Sequence, residues 1–539
     1  MATARRVTVI AHELRGFHPI GGMGTATTFL ALALARLGHS VEILLGKHDP
    51  RSLDPHWRDV YTNAGIRIRP VPPGAERVEP WEFAHAHGVM LGLRDEPPDV
   101  VVAHDFGAPA YSALRLRQVG LAFGETLFVV FCHGPRRYVV DLSPNLATGD
   151  LRAVLGVSLL EQAAVELADV VVSPSAFLLD WMRKHSWRLP ERSLVIPYFT
   201  APADAPAQRP RPDPLRRLTF FGRIDERKGV RIFAEALRAI EPEIEVEFVG
   251  KTTRTWTRER VQKLLPRTVD VVFAGELDQQ EALERLKRPG TLVVMPSLQE
   301  NSPNAVYECL EHGIPFIASA VGGVPELVTS EVLFEPTAES LVAALTRILD
   351  DGIVPAPARL AFDASVSLER WREVIEVQPR PRPAYSGDRE LNDVLLHAQR
   401  VTGADVVTCG LQLPDGGLRF FHGDPGGLGA VENAYGVVAL IAGELRHGND
   451  LWPVLARLAA SGASIVSIPL PLAEGAVDAD PALALRAVQA LEDALPDPAR
   501  GAARLAAGLG ADARRERQLD GGLSQRALRA IKSLFGNFR

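Results

Sequence analysis

The stretch QENSPNAVYECLEHG, residues 299–313, sets two glutamates, Glu300 and Glu308, on either side of a Ser-Pro-Asn. Ser302 is a favoured N-cap and Pro303 a favoured first helical residue, because that position has no intrahelical use for an N–H. The spacing predicts a helix from Pro303 through Val306, Tyr307, Cys309 and Leu310. Gly313 ends it as the left-handed residue after the C-cap, with Pro315 as a stop. Glu300 then lies in the loop before the helix, and Glu308 points off its second turn. The free N–H groups of the helix start lie between the two acids, where an anion is favoured. Capping and surface charge would explain the same carboxylates, so the motif takes its meaning from its surroundings.

Those surroundings are short β-branched runs alternating with helical patterns through the first 375 residues, which implies parallel sheets built from βαβ units. VTVIAHE, VEILLG, DVVVAHD, TLFVVFCHG, ADVVVSPS and LVIPY form one set, within residues 1–199. LTFFGRIDERKG, EVEFVGK, VVFAGEL, TLVVMPS and PFIASAVGG form a second, within 215–377. The Pro/Ala-rich segment 200–214 between them reads as a linker or hinge. The expected fold is therefore α/β, with two Rossmann-like domains facing across a cleft lined by strand C-termini, where ligands of open α/β sheets bind. A second linker, QPRPRPAYSGDRE (378–390), leads to a smaller α/β unit at 391–475. From 476 to 539 the chain turns Ala/Arg-rich and reads as a helical or partly disordered tail.

Composition limits the function. The chain of 539 residues is 46% hydrophobic and 23% charged, ordinary for a globular protein, and its net charge of −7 lacks the positive field of a nucleic-acid binder. Cys132, Cys309 and Cys409 stand far apart among apolar neighbours, which reads as buried free thiols in a reducing compartment and as no metal site. The N-terminus has too short an apolar run for a signal peptide, and no segment approaches about 18 uninterrupted apolar residues. A cytoplasmic protein is expected. The tail LSQRALRAIKSLFGNFR has the pattern of a basic amphipathic helix, which suggests weak contact with a membrane surface.

Two further motifs join the first. Gly21-Gly22-Met23-Gly24 stands between a strand and a helix, where missing side chains let backbone approach a ligand. It lacks the last glycine of the dinucleotide fingerprint, Thr27 standing there, and no ribose-binding acid follows at the right distance. Arg223 and Lys228, in FGRIDERKG, follow the first strand of the second set and suit a diphosphate as fork and point charge.

Taken in order, the Gly-Gly-x-Gly, the G-R-x4-K-G, the Glu-x7-Glu and the following GGVPELV resemble the family 4 retaining glycosyltransferases of the GT-B type, over residues 5–376. The resemblance implies a nucleotide-diphosphate sugar as donor, bound mainly by the second domain, with no cofactor and no metal. By position, Glu300 would hold donor-sugar hydroxyls, Glu308 the ribose, and Arg223 and Lys228 the diphosphate. Gly22 and Gly24 would admit the first domain's loop to the phosphates or the sugar, and His133 would reach the reacting sugar. Asp105 also faces the expected cleft. Glu300 is not assigned as a covalent nucleophile, since such enzymes are thought to react on one face of the sugar. Many members carry glycine where Pro303 stands, so one N–H is lost, and Asn304 and Ala305 remain as main-chain donors to phosphate.

Residues 391–475 resemble the later half of a family 2, GT-A-type glycosyltransferase without its nucleotide-binding front half, and Asp450 matches that family's late aspartate by position. This unit is expected to have no active site of its own and to need cover for its apolar faces. The leading expectation is a retaining, metal-independent glycosyltransferase acting on an unidentified glycan, lipid-linked or small-molecule acceptor. The alternative is a non-catalytic sugar-nucleotide-binding or scaffold protein.

Overall fold

A computed structural model describes residues 4–17, 21–46, 49–74, 77–141, 151–199, 213–275, 277–387, 390–430, 432–477 and 481–494. The amphipathic pattern at 520–539 and most of the linker 200–214 lie outside them. In the first domain the strands are β1 (Arg6–Ala11), β2 (Ser40–Leu45), β3 (Arg67–Pro70), a short outlying β4 (Val78–Glu79), β5 (Val100–His104), β6 (Leu127–Phe131), β7 (Val170–Ser173) and β8 (Ser193–Val195). Without β4 they make a seven-stranded sheet in the order β3-β2-β1-β5-β6-β7-β8, parallel throughout. The strands β5, β6 and β7 are buried along their whole length, as expected where helices cover both faces of a parallel sheet.

The second domain repeats the plan. Its strands β9 (Arg217–Phe221), β10 (Glu245–Val249), β11 (Val271–Ala274), β12 (Thr291–Met295), β13 (Phe316–Ser319) and β14 (Leu333–Phe334) form a parallel sheet in the order β11-β10-β9-β12-β13-β14. In both sheets the strand order reverses beside the first strand, which places a crevice at the strand C-termini. The helix Ala364–Glu376 crosses back to the first domain: Trp371 packs edge-on to Phe131 with ring centroids 5.3 Å apart, and the Arg5 guanidinium donates to the carbonyls of Ile375 and Val377.

The third unit contains β15 (Val406–Gln412), β16 (Leu418–Arg419), β17 (Val438–Ile441), β18 (Glu444–His447) and β19 (Ile465–Glu474). It docks on the first domain in a specific way. The outlying β4 pairs with β16, Val78 opposite Leu418 and Glu79 opposite Arg419, so the first domain contributes a strand to the third sheet. Behind this seam Phe83 meets Phe420 at 5.8 Å, and one apolar core runs from Tyr111 and Phe128 through to Val407, Cys409 and Ile468. The second linker follows the first domain's surface, Tyr385 donating its N–H to the Gly120 carbonyl.

Charge also crosses the seam. Glu82 is buried with its side chain fully covered; its Oε2 accepts from Arg152 at 2.8 Å, and His422 Nε2 of the third unit lies 3.4 Å from its Oε1. Arg152 also holds Glu432 of the third unit at 2.7 Å. Burial pushes the Glu82 carboxyl up, but the His422 and Arg152 partners outweigh it and hold the group below its ordinary value. Its stabilising contribution is therefore present above the unfolded carboxylate pKa and lost as pH falls through the folded one. Replacing Glu82 by Ala leaves Arg152 half-paired in a buried seam, a change that typically costs about 3–5 kcal/mol. Urea unfolding should show a lower midpoint for Glu82→Ala than for wild type at pH 7, with the gap narrowing in acid.

Candidate active site between the two Rossmann domains

The helix of residues 299–313 runs from Asn304 to Glu311, with Pro303 in the N-cap position at φ −75° and ψ 122°. The start lies one residue later than the sequence suggests. Ser302 does not cap it; its hydroxyl lies 3.0 Å from the Tyr307 hydroxyl, a buried partner that wins over the helix N–H. Gly313 takes the left-handed conformation, φ +60°.

Glu300 is buried after the C-terminal end of β12. Its Oε1 accepts from Lys228 Nζ and, at 2.7 Å, from the Ser297 hydroxyl, and Arg227 stands 3.8 Å from Oε2. Burial raises the carboxyl, but Lys228 and Arg227 together with these hydrogen bonds prevail, and Glu300 is held below its ordinary value as a carboxylate. Its backbone is fixed by the GGVPELV motif. Gly322 has φ +56°, and a Cβ there would stand 1.6 Å from the Glu300 carbonyl oxygen, so only glycine lets the loop after β13 lie against Glu300.

The first domain closes over this loop. The Tyr138 hydroxyl donates to the Glu300 carbonyl at 3.0 Å, Gln299 Nε2 donates to the Tyr138 carbonyl at 2.6 Å, and Asn301 Nδ2 donates to the His133 carbonyl at 3.1 Å. Glu326 caps the first domain's helix Ala176–Lys184 from across the cleft, accepting from Ala176 and Phe177 N–H at 2.7 and 2.9 Å. The helix Gly22–Arg36 aims its start at the other helix start: a Cβ on Gly22 would lie 2.5 Å from Asn304 Nδ2. Gly24 is buried in that helix's first turn.

His133 brings its Nδ1 to 2.7 Å from the Tyr198 hydroxyl, while Nε2 is buried with no partner among the described residues. Burial lowers its pKa to about 3, so the ring is neutral and serves as a hydrogen-bonding group. It ends a row of imidazoles at the strand C-termini, His133 to His104 at 4.9 Å, His104 to His12 at 6.1 Å, and His12 to His85 at 4.4 Å between ring centroids. The Asp105 carboxylate accepts from the main-chain N–H groups of Phe106, His133 and Gly134, which makes it a backbone clamp.

The structure brings Glu300, Lys228, Asn304, Ala305, Gly22 and the His133 loop to one cleft. Arg223 is exposed in the turn after β9 and, among the described residues, makes no hydrogen bond or ion pair. Arg227, which the sequence reading passed over, takes the place beside Glu300; its only signal was adjacency to Lys228. Glu308 accepts from Gln279 Nε2 on the second domain, and the charge of Arg15 reaches it from the first. A cavity of about 790 Å³ lies elsewhere, between the first domain and the third unit, lined by Arg115, Leu160, Ala404 and His422 among others. None of the residues named at the cleft in this subsection borders it, so the cleft, where the charged groups converge, is the candidate site.

Two family models match this chain. Residues 20–201 fit the model described as Glycosyltransferase Family 4, and residues 216–351 the one described as Glycosyl transferases group 1. Each Rossmann-like domain thus resembles a glycosyltransferase domain. A glycogen synthase of Mycobacterium tuberculosis is 28% identical over 411 residues, covering 67% of this chain and 94% of that protein. An MMP α-(1→4)-mannosyltransferase of Mycolicibacterium hassiacum is 25% identical over 367 residues, covering 61% and 86%. The crystal structure of Anabaena HepE in complex with UDP aligns at a TM-score of 0.46 with 17% identity, covering 69% of this chain and 99% of that one. The matches to the glycosyltransferase models end at residue 351, before the third unit. Among the described residues no helix is long and apolar enough to cross a membrane.

Burial pushes the Glu308 carboxyl up to about 7, against the pull of Gln279 and Arg15. A raised folded-state pKa contributes stability that is complete below the unfolded value and lost as pH rises through about 7. Melting temperature measured from pH 4.5 to 8 should therefore fall more steeply for wild type than for Glu308→Gln, which carries no titrating group there.

Proposed function

We propose that the protein transfers a hexosyl unit from a nucleoside-diphosphate sugar to an acceptor with retention of anomeric configuration and without a metal ion. The observation that carries the reading is the buried Glu300 carboxylate, held by Lys228 and Ser297 with Arg227 nearby and faced by the His133 loop. Cleaving a sugar–phosphate bond builds positive charge on the sugar and negative charge on the departing diphosphate. Lys228, Arg227 and the open N–H groups of Asn304 and Ala305 form a fixed positive field for the diphosphate, and preorganised donors of this kind lower such barriers. Glu300 orients sugar hydroxyls and balances the cations, and Glu308 meets the ribose hydroxyls. His133, neutral, offers Nε2 to a hydroxyl of the sugar.

The names of the relatives support the same class of reaction. The third unit is read as a GT-A-like fragment that does no chemistry and stabilises the first domain through the shared sheet; Asp450 has no catalytic part in it. Donor classes are found by screening UDP-, ADP- and GDP-sugars for a rise in melting temperature. NMR of the product anomer, repeated in EDTA, tests the mechanism: an inverted product or activity abolished by chelation overturns it. Glu300→Gln and Lys228→Ala should each lower turnover by roughly 100-fold or more, the scale seen when one preorganised electrostatic group is removed, with circular dichroism unchanged. Asp450→Asn should stay within a few-fold of wild type.

A further inference from the structure

The loop after β6 carries a cation that the proposed chemistry leaves unused. Arg136 donates its main-chain N–H to Glu161 Oε2 at 2.6 Å, and Glu161 Oε1 accepts from the Gly107 N–H at 2.7 Å. Asp105 completes the clamp, with Oδ1 accepting from His133 at 2.8 Å and Oδ2 from Gly134 at 3.0 Å. Two fully buried carboxylates thus tie the turn at 105–107 to the turn at 133–136. The result is an aligned pair of side chains, the Arg136 guanidinium lying over the Phe106 ring at 5.4 Å from its centroid.

That guanidinium makes no ion pair and no side-chain hydrogen bond among the described residues; its charge reaches the buried Glu161 carboxyl, but its Nε is buried without an acceptor. A buried donor without an acceptor is costly, and a ring face steadies the cation without satisfying its N–H groups. Its place in the fold says what it would meet. In the chain Arg136 stands between His133 and Tyr138, both of which bond to the Glu300 loop, so its main chain belongs to the first-domain wall of the cleft. Lys228 and Arg227 belong to the opposite wall, with Glu300. A cation on the first-domain wall is separate from the cations available to a donor diphosphate.

We propose that Arg136, held over Phe106, forms a subsite for an anionic group, phosphate or carboxylate, carried by the acceptor. This rests on reading the cleft as a glycosyltransferase site. A guanidinium presents a planar fork that matches either anion in bidentate fashion, which a lysine ammonium does not.

The test uses the full chain with its donor pocket filled. Whichever of UDP, ADP or GDP raises the melting temperature is kept saturating while glucose, glucose 1-phosphate and glucuronate are titrated by calorimetry. At least one anionic sugar should bind about tenfold or more tighter than glucose, and which one does so separates phosphate from carboxylate recognition. Arg136→Gln should erase that margin and Arg136→Lys should keep part of it. Both keep the main-chain bond to Glu161, and matching melting temperatures would show an intact fold. Equal binding of the three sugars, or a margin that survives in Arg136→Gln, overturns the subsite. If no nucleoside diphosphate raises the melting temperature, the glycosyltransferase reading itself fails and the subsite falls with it.

Discussion

A buried carboxylate beside a partly buried ammonium is costly to assemble and severe to break, because removing the cation leaves a charge in a poorly solvated place. Glu300 and Lys228 are that pair, and much of the surrounding architecture serves to hold it. Lys228 is fixed by its own N–H donating to Asp225 at 2.9 Å, and Glu300 by Ser297 and by the glycine loop after β13. The neighbouring Gln299 and Asn301 then reach the first domain, so the geometry of one ion pair is coupled to the closure of the cleft.

The first domain answers with acids used as clamps. Among the described residues Asp105 and Glu161 accept only main-chain N–H groups, in the turns at 105–107 and 133–136, which commits two buried carboxyl groups to loop geometry. Burial pushes them up, Asp105 to about 6 and Glu161 to about 8. Both carboxyl groups thus have their oxygens committed to the backbone. His133, expected from sequence to reach the reacting sugar, is neutral because burial holds its pKa near 3.

Local chemistry made the fold legible. Apolar β-branched runs such as VVVAH and LFVVF became fully buried parallel strands, and Gly-Gly and Ser-Pro-Asn marked where helix starts point into the cleft. The Glu300–Lys228 pairing was legible as a motif but not as a contact, since 72 residues separate the two. The approach of Arg227 to Glu300 was not readable, because neighbouring cations on one turn differ only in which way the turn faces them. The bond between Ser302 and Tyr307 defeated a sound capping rule for the same reason: the competing partner is set by tertiary packing. No pattern in Val78–Glu79 announced a strand, since two residues carry no periodicity.

That dipeptide strand has a consequence for synthesis. The ribosome releases Val78–Glu79 and the apolar face around Phe83 long before Leu418–Arg419 and Phe420 exist to cover them. Domains generally fold as they emerge, the N-terminal one first, so a nascent first domain would carry an open edge and an uncovered core while the second domain is being made. The third unit therefore acts late, as the piece that seals its own N-terminal half. A chain released before residue 418 would present a sheet edge to its neighbours, and any chaperone serving this protein would be needed most during that interval.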